Sequence, residues 1–178
     1  PGLASARLAF CWPVRGEYDA RPLTQGLRGR GAVTALPAVT APGRPLEFRA
    51  WQPGAALAAG PLGIPYPAAS EAIVPTVILV PLIGWDAAGH RVGYGGGYFD
   101  RTLGALEPRP TTIGVGYELG RIATIHPQSW DIPMDWVVTE RGVYRRDGDA
   151  LAFLGAPRGG TLGGLASPVC YADEIEPS

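Results

Sequence analysis

A chain of 178 residues, 46% apolar and 17% charged, is long enough for one domain with a real core and too apolar to be disordered. Its net charge of −1 excludes a broad nucleic-acid surface, and all 15 basic residues are arginine, so any bound anion meets guanidinium forks or backbone N–H groups. Cys11 and Cys170 stand far apart with only His90 and His126 beside them, which argues against zinc. No apolar run spans a bilayer and no basic-then-apolar leader opens the chain, so a cytoplasmic protein without a membrane partner is expected.

In chain order, residues 7–12 (RLAFCW) form a strand-like apolar run closed by Pro13 and Gly16. Pro22, with Leu23 and Leu27 at helical spacing, predicts a short helix. Residues 32–39 (AVTALPAV) read as a second strand, and 46–51 (LEFRAW) as a strand with one wet face. A Gly/Pro-rich passage follows over 53–67. Residues 76–82 (TVILVPL) are apolar on both faces, as in a central buried strand, and feed directly into a glycine-rich loop. Phe99, Leu103 and Leu106 then predict a helix over 98–106, followed by strands at 112–117 (TIGVGY) and 136–139 (WVVT). From Arg145 the signal fades into a linker-like 156–164 and a short tail. Strands alternating with helices predict a single-domain three-layer α/β fold, its mostly parallel central sheet flanked by helices.

The chemistry concentrates in GHRVGYGGGYFDR, residues 89–101. Glycines let a ligand approach the backbone with no Cβ in the way. A loop after a buried strand that opens a helix aims free N–H groups at one point, and Arg91 and Arg101 flank it; this pattern suits a phosphate. Asp100 beside a phosphate is explained by a Mg²⁺ ion between them, with Asp135 in IPMD a candidate second carboxylate. The plainer readings are a tight packing loop, a helix N-terminal Asp100, a turn residue Asp135, and Trp12 and Trp51 as core aromatics. The pattern is neither a Walker loop nor GxGxxG.

DAAGHRVGYGGGYFDRTL, residues 86–103, resembles the signature of the 5-formyltetrahydrofolate cyclo-ligases (methenyltetrahydrofolate synthetases). FCWPVRGEYDARPL, LEFRAW and HPQSWDIPMDWVVTE resemble further family segments in the family's order, so the likeness covers about residues 8–143. It implies ATP-dependent closure of 5-formyltetrahydrofolate to 5,10-methenyltetrahydrofolate, through a phosphorylated formyl intermediate, with release of ADP and phosphate. The resemblance assigns Arg91, Val92, Gly93, Tyr94, Gly95, Gly96, Gly97, Tyr98 and Phe99 to ATP, with Arg91, Tyr98 and Asp100 at the reacting groups. It assigns Asp100 and Asp135 to Mg²⁺, and Glu17 to the pterin. It also implies Trp12 and Trp51 around the folate, and Tyr94 to Tyr98 shared between folate and nucleotide.

Many family members carry Glu-Pro where this sequence has Tyr66-Pro67, and family members have a basic N-terminal helix ahead of the first strand, where this sequence opens at Pro1. The expectation is therefore a cyclo-ligase-like domain over 1–146 lacking that helix, then a linker and tail over 147–178. The closing ASPVCYADEIEP resembles a segment that precedes the helix in a proteobacterial branch. A monomer acting on free or polyglutamylated folate is expected, with no nucleic-acid partner. The alternatives are a folate- or nucleotide-binding protein without turnover and, by fold analogy, a sugar-phosphate enzyme.

Overall fold

The computed structural model describes residues 2–14, 16–61 and 63–156. In chain order these form β1 (Arg7–Ala9), α1 (Arg21–Arg28), β2 (Val33–Ala38), β3 (Glu47–Ala50), and the small hairpin β4 (Ala58–Ala59) and β5 (Pro65–Tyr66). Next come β6 (Val77–Pro81), a second small hairpin of β7 (Gly84–Trp85) and β8 (Arg91–Val92), and α2 (Tyr98–Ala105). The chain continues with β9 (Thr111–Val115), β10 (Trp136–Val138) and a final hairpin of β11 (Val143–Asp147) and β12 (Ala150–Gly155).

Eight strands form one sheet in the order β12-β11-β10-β9-β6-β1-β2-β3. Its five central members, β10, β9, β6, β1 and β2, are parallel, and antiparallel strands close both edges. Register follows the pleat. Leu8 lies beside Val77, and Leu79 beside Ile113, on the face that packs against Leu27 of α1. Ala9, Ile78 and Val80 point to the other face, with Leu103 of α2. Both faces of β6 are therefore buried, as its unbroken apolar run requires. One helix covers each face, which makes the three layers.

β1 is the first parallel strand in sequence, yet it lies between the second, β2, and the third, β6. The chain builds outward from β1 to one side, then returns and builds to the other. Such a reversal leaves a crevice beyond the carboxyl ends of the two strands at the switch, here β1 and β6.

Three local expectations change. In α1, Thr24 and Leu27 are the buried residues, while Leu23 stays exposed. The glycine loop does not follow β6 directly, because the β7–β8 hairpin intervenes. The sheet also continues past residue 146 through β11 and β12, which the fading signal hid. Edge strands need no one-sided apolar pattern: β11 is arginine-rich with Tyr144 its only buried side chain, and Phe153 and Leu154 of β12 are exposed. A two-residue Gly148-Asp149 loop joins them, with Gly148 at φ +58°, a conformation suited to hairpin turns. The predicted linker and tail beyond Ala156 lie outside the described residues. No helix among the described residues is long and apolar enough to cross a membrane.

Candidate active site

A cavity of about 1080 Å³ opens at the switch point. Its wall comes from the segments that follow the carboxyl ends of the strands: Cys11, Trp12 and Glu17 after β1, Val39 after β2, Ile83 and residues 91–101 after β6, and Trp130 to Ile132 after β9. The β4–β5 hairpin adds Gly60, Ile64 and Tyr66.

The glycine loop is pinned at both ends by carboxylates. Asp86 is buried and accepts hydrogen bonds from Ala88 N (3.0 Å), His90 N (3.0 Å) and Ile125 N (3.3 Å). At the other end, Asp100 Oδ1 meets Arg91 Nη2 at 3.0 Å and accepts from Ile132 N at 3.1 Å. Arg91 also donates Nη1 to Ile132 O at 3.0 Å, and its guanidinium lies over the Phe99 ring. Arg91 is thus a buried strut of the wall and not a free cation. Asp100 Oδ2 has no hydrogen-bond partner among the described residues.

The glycines divide into two kinds. Gly95 (φ +79°) and Gly97 (φ +59°) occupy left-handed backbone, and Gly97 starts α2. A Cβ on Gly97 would lie 2.9 Å from Arg101 Nη1, and one on Gly96 would lie 2.8 Å from the Tyr98 ring. Arg101 closes this stretch by donating Nη2 to Gly96 O at 2.6 Å and stacking over Tyr98. Gly93 differs: its φ lies outside the left-handed region and a Cβ there would meet nothing within 4 Å. Neither backbone strain nor packing demands glycine at that position, which leaves open space in the cavity wall.

Glu17 sits across from the loop. Its Oε2 accepts from Val14 N at 3.1 Å, and the Tyr94 side chain reaches over to the same carboxylate. Oε1 is buried without a hydrogen-bond partner among the described residues. Burial raises the Glu17 carboxyl above its ordinary value, partly offset by these hydrogen bonds. Cys11, in the same wall, has its thiol pushed up to about 12, chiefly by burial and then by the Glu17 charge. A thiol raised in this way stays protonated, whereas reactive cysteines are held low.

Two residues assigned from the resemblance stand elsewhere. Trp51 is buried in the core against Phe10 (ring centroids 5.5 Å apart) and behind Trp12 (5.9 Å). It supports Trp12, which does line the cavity, but does not line it. Asp135 lies outside the cavity. Its Oδ2 accepts from Thr112 N (2.8 Å) and Thr112 Oγ1 (2.9 Å), and its Oδ1 pairs with Arg109 (3.2 Å). The reason is topological: Asp135 immediately precedes β10, so it sits at the amino end of a parallel strand, opposite the crevice. Asp131, next to Ile132 whose N–H donates to Asp100, does line the cavity, and its Oδ2 accepts from Gln128 N at 2.7 Å. Position relative to the strand ends is what separates Asp131 from Asp135 within WDIPMD. Trp130 and Tyr66 also line the cavity without any sequence pattern to mark them.

A sequence model described as the 5-formyltetrahydrofolate cyclo-ligase family matches residues 3–140. The chain belongs to this family. It is 31% identical over 137 residues to a 5-formyltetrahydrofolate cyclo-ligase of Escherichia coli K12, covering 72% of this chain and 75% of that protein. The NMR structure of Aquifex aeolicus 5,10-methenyltetrahydrofolate synthetase superposes with a TM-score of 0.69 at 31% identity, over 84% of this chain and 77% of that one. A 5,10-methenyltetrahydrofolate synthetase from Mycoplasma pneumoniae shares the fold at TM-score 0.59 and 18% identity, over 76% and 74% of the two chains. Residues 91–101 of the glycine-rich segment form one wall of the switch-point crevice.

Proposed function

We propose that this protein closes 5-formyltetrahydrofolate to 5,10-methenyltetrahydrofolate at the expense of ATP, releasing ADP and phosphate. The observation that carries this reading is Glu17 Oε1, a buried acceptor without a hydrogen-bond partner among the described residues, in the wall of a cavity that the glycine loop also lines. A pterin ring offers neighbouring N–H donors, and an acceptor-only carboxylate suits them. Trp12, braced by Trp51, supplies an apolar face for the ring.

The residues also fit ATP. At Gly93 and Gly95 a Cβ would fill only open space, so phosphate oxygens are free to approach the loop amides. ATP, when bound, supplies the phosphoryl group that turns the formyl oxygen into a leaving group. The loop orients that group toward the folate, Arg101 adds a cation beside it, and Tyr98 flanks it. The Arg91–Asp100 pair holds the helix start in place, and Tyr94 links the loop to Glu17. Among the described residues, no three His, Cys, Asp or Glu side chains gather into a ready metal site. A Mg²⁺ carried by phosphates needs only one or two carboxylates, and Asp100 with Asp131 would hold it; Asp135 would not. With positioning and charge doing the catalysis, no protein nucleophile is required. The reading extends to a cytoplasmic monomer acting on free or polyglutamylated folate.

The test follows methenyltetrahydrofolate absorbance on adding 5-formyltetrahydrofolate with and without ATP and Mg²⁺. Product that depends on ATP supports the reading. Tight folate binding with no turnover would leave a binding protein on the same scaffold.

A further inference from the structure

We infer that Trp130 is the platform on which the purine ring of the nucleotide stacks. This inference rests on the reading of the cavity as a site for folate and ATP. Trp130 is 67% exposed although it lines the cavity, and among the described residues no ring or guanidinium packs on it. An indole left in water at a binding site is informative, whereas scattered exposed aliphatic residues are not.

Its backbone is held firmly. Gln128 N donates to Asp131 Oδ2 at 2.7 Å, and Asp131 N to Gln128 O at 3.0 Å. One residue on, Ile132 is fastened through its N–H to Asp100 and through its carbonyl to Arg91. The ring is thus presented from a fixed turn, and ordering it on binding costs little backbone freedom.

The order of strands says which ligand it meets. Glu17 and Trp12 follow β1, and Tyr66 comes from the hairpin beyond β3, so the pterin end lies on the β1–β2 side of the glycine loop. Trp130 and Asp131 lie between β9 and β10, on the other side of that loop. With the phosphates at the loop between the two ends, the flat group left for the β9 side is the nucleotide base. Stacking on an indole accepts any base, because every base has a π-face.

The experiment measures dissociation constants by calorimetry on the full chain for a non-hydrolysable ATP analogue, inorganic triphosphate and 5-formyltetrahydrofolate. It compares the unsubstituted protein with Trp130→Ala and Trp130→Phe. Trp130→Ala weakens the ATP analogue about tenfold, leaves triphosphate and folate unchanged, and Trp130→Phe recovers most of the loss. An unchanged constant for the analogue in Trp130→Ala overturns the inference, as does equal weakening of analogue and triphosphate. A loss confined to folate overturns it too, moving the ring to the folate's aminobenzoyl end. If the unsubstituted protein binds folate but no ATP analogue, the proposed function falls first and takes this inference with it.

Discussion

Arg91 and Asp100 stand at the two ends of the glycine loop, nine residues apart, and meet at 3.0 Å with side chains only 6% and 18% exposed. The pair closes the loop into a ring, and Asp100 lines the cavity. One group therefore serves architecture and charge together, and substitutions must be read for both.

Asp100→Asn keeps the shape and one acceptor for Ile132 N–H but removes the charge. Turnover is expected to fall by on the order of 3 kcal/mol of barrier. The melting temperature falls as well, because Arg91 is left as a largely buried charge without its partner. Near-normal turnover at limiting Mg²⁺ would dismiss a metal role for Asp100.

Asp135→Asn separates the two carboxylates of IPMD and its neighbourhood. Asp135 ties β9 to β10 through Thr112, so the variant loses about 1–2 kcal/mol of stability while kcat stays close to that of the unsubstituted protein. The half-exposed pair with Arg109 adds little to this. A collapse of kcat in protein that remains folded would return Asp135 to the site.

Glu17 makes stability depend on pH in a direction opposite to that of a paired carboxylate. Burial raises its folded-state value above the ordinary 4.5, so the folded chain binds the proton more tightly than the unfolded one. Its contribution is complete below 4.5 and is lost as pH rises through the raised folded value. Glu17→Gln should flatten that part of the ligand-free stability curve and weaken 5-formyltetrahydrofolate by about 1–3 kcal/mol, with ATP little affected. Denaturant melts at several pH values and two binding isotherms check both halves; equal losses for the two ligands would remove Glu17 from the pterin.

Gly93→Ala and Gly97→Ala act by different routes. At Gly97 the left-handed φ and the nearby Arg101 make any Cβ cost about 1 kcal/mol or more of stability, so changes in binding there are mixed with strain. At Gly93 the added methyl meets nothing, and the melting temperature should hold while ATP affinity falls. Unchanged ATP affinity in Gly93→Ala would mean that phosphate does not approach the loop at that point.

Much of this was legible in the residues. The unbroken apolar run of β6, the helix after the glycines and the loop's demand for missing Cβ atoms are local properties, set by periodicity and steric freedom within a few neighbours. Asp100 stands out from the charges around the loop, and Glu17 and Tyr94 only from the resemblance of their segments to the family; all three line the cavity. What the linear order could not decide was which end of a strand a residue occupies and what stands behind it. Asp131 and Asp135 are four positions apart in one turn-rich segment, yet the path of that segment between β9 and β10 leaves one in the crevice and the other at the far edge. Trp12 and Trp51 look alike in sequence, but the edge pairing of β3 with β2 buries the second behind the first. The hairpin of β11 and β12 went unseen because edge strands, wet on their outer faces, do not need the alternation that betrays a buried strand. Pairing across the sheet is non-local, and only the assembled sheet settles which carboxylate lines the crevice.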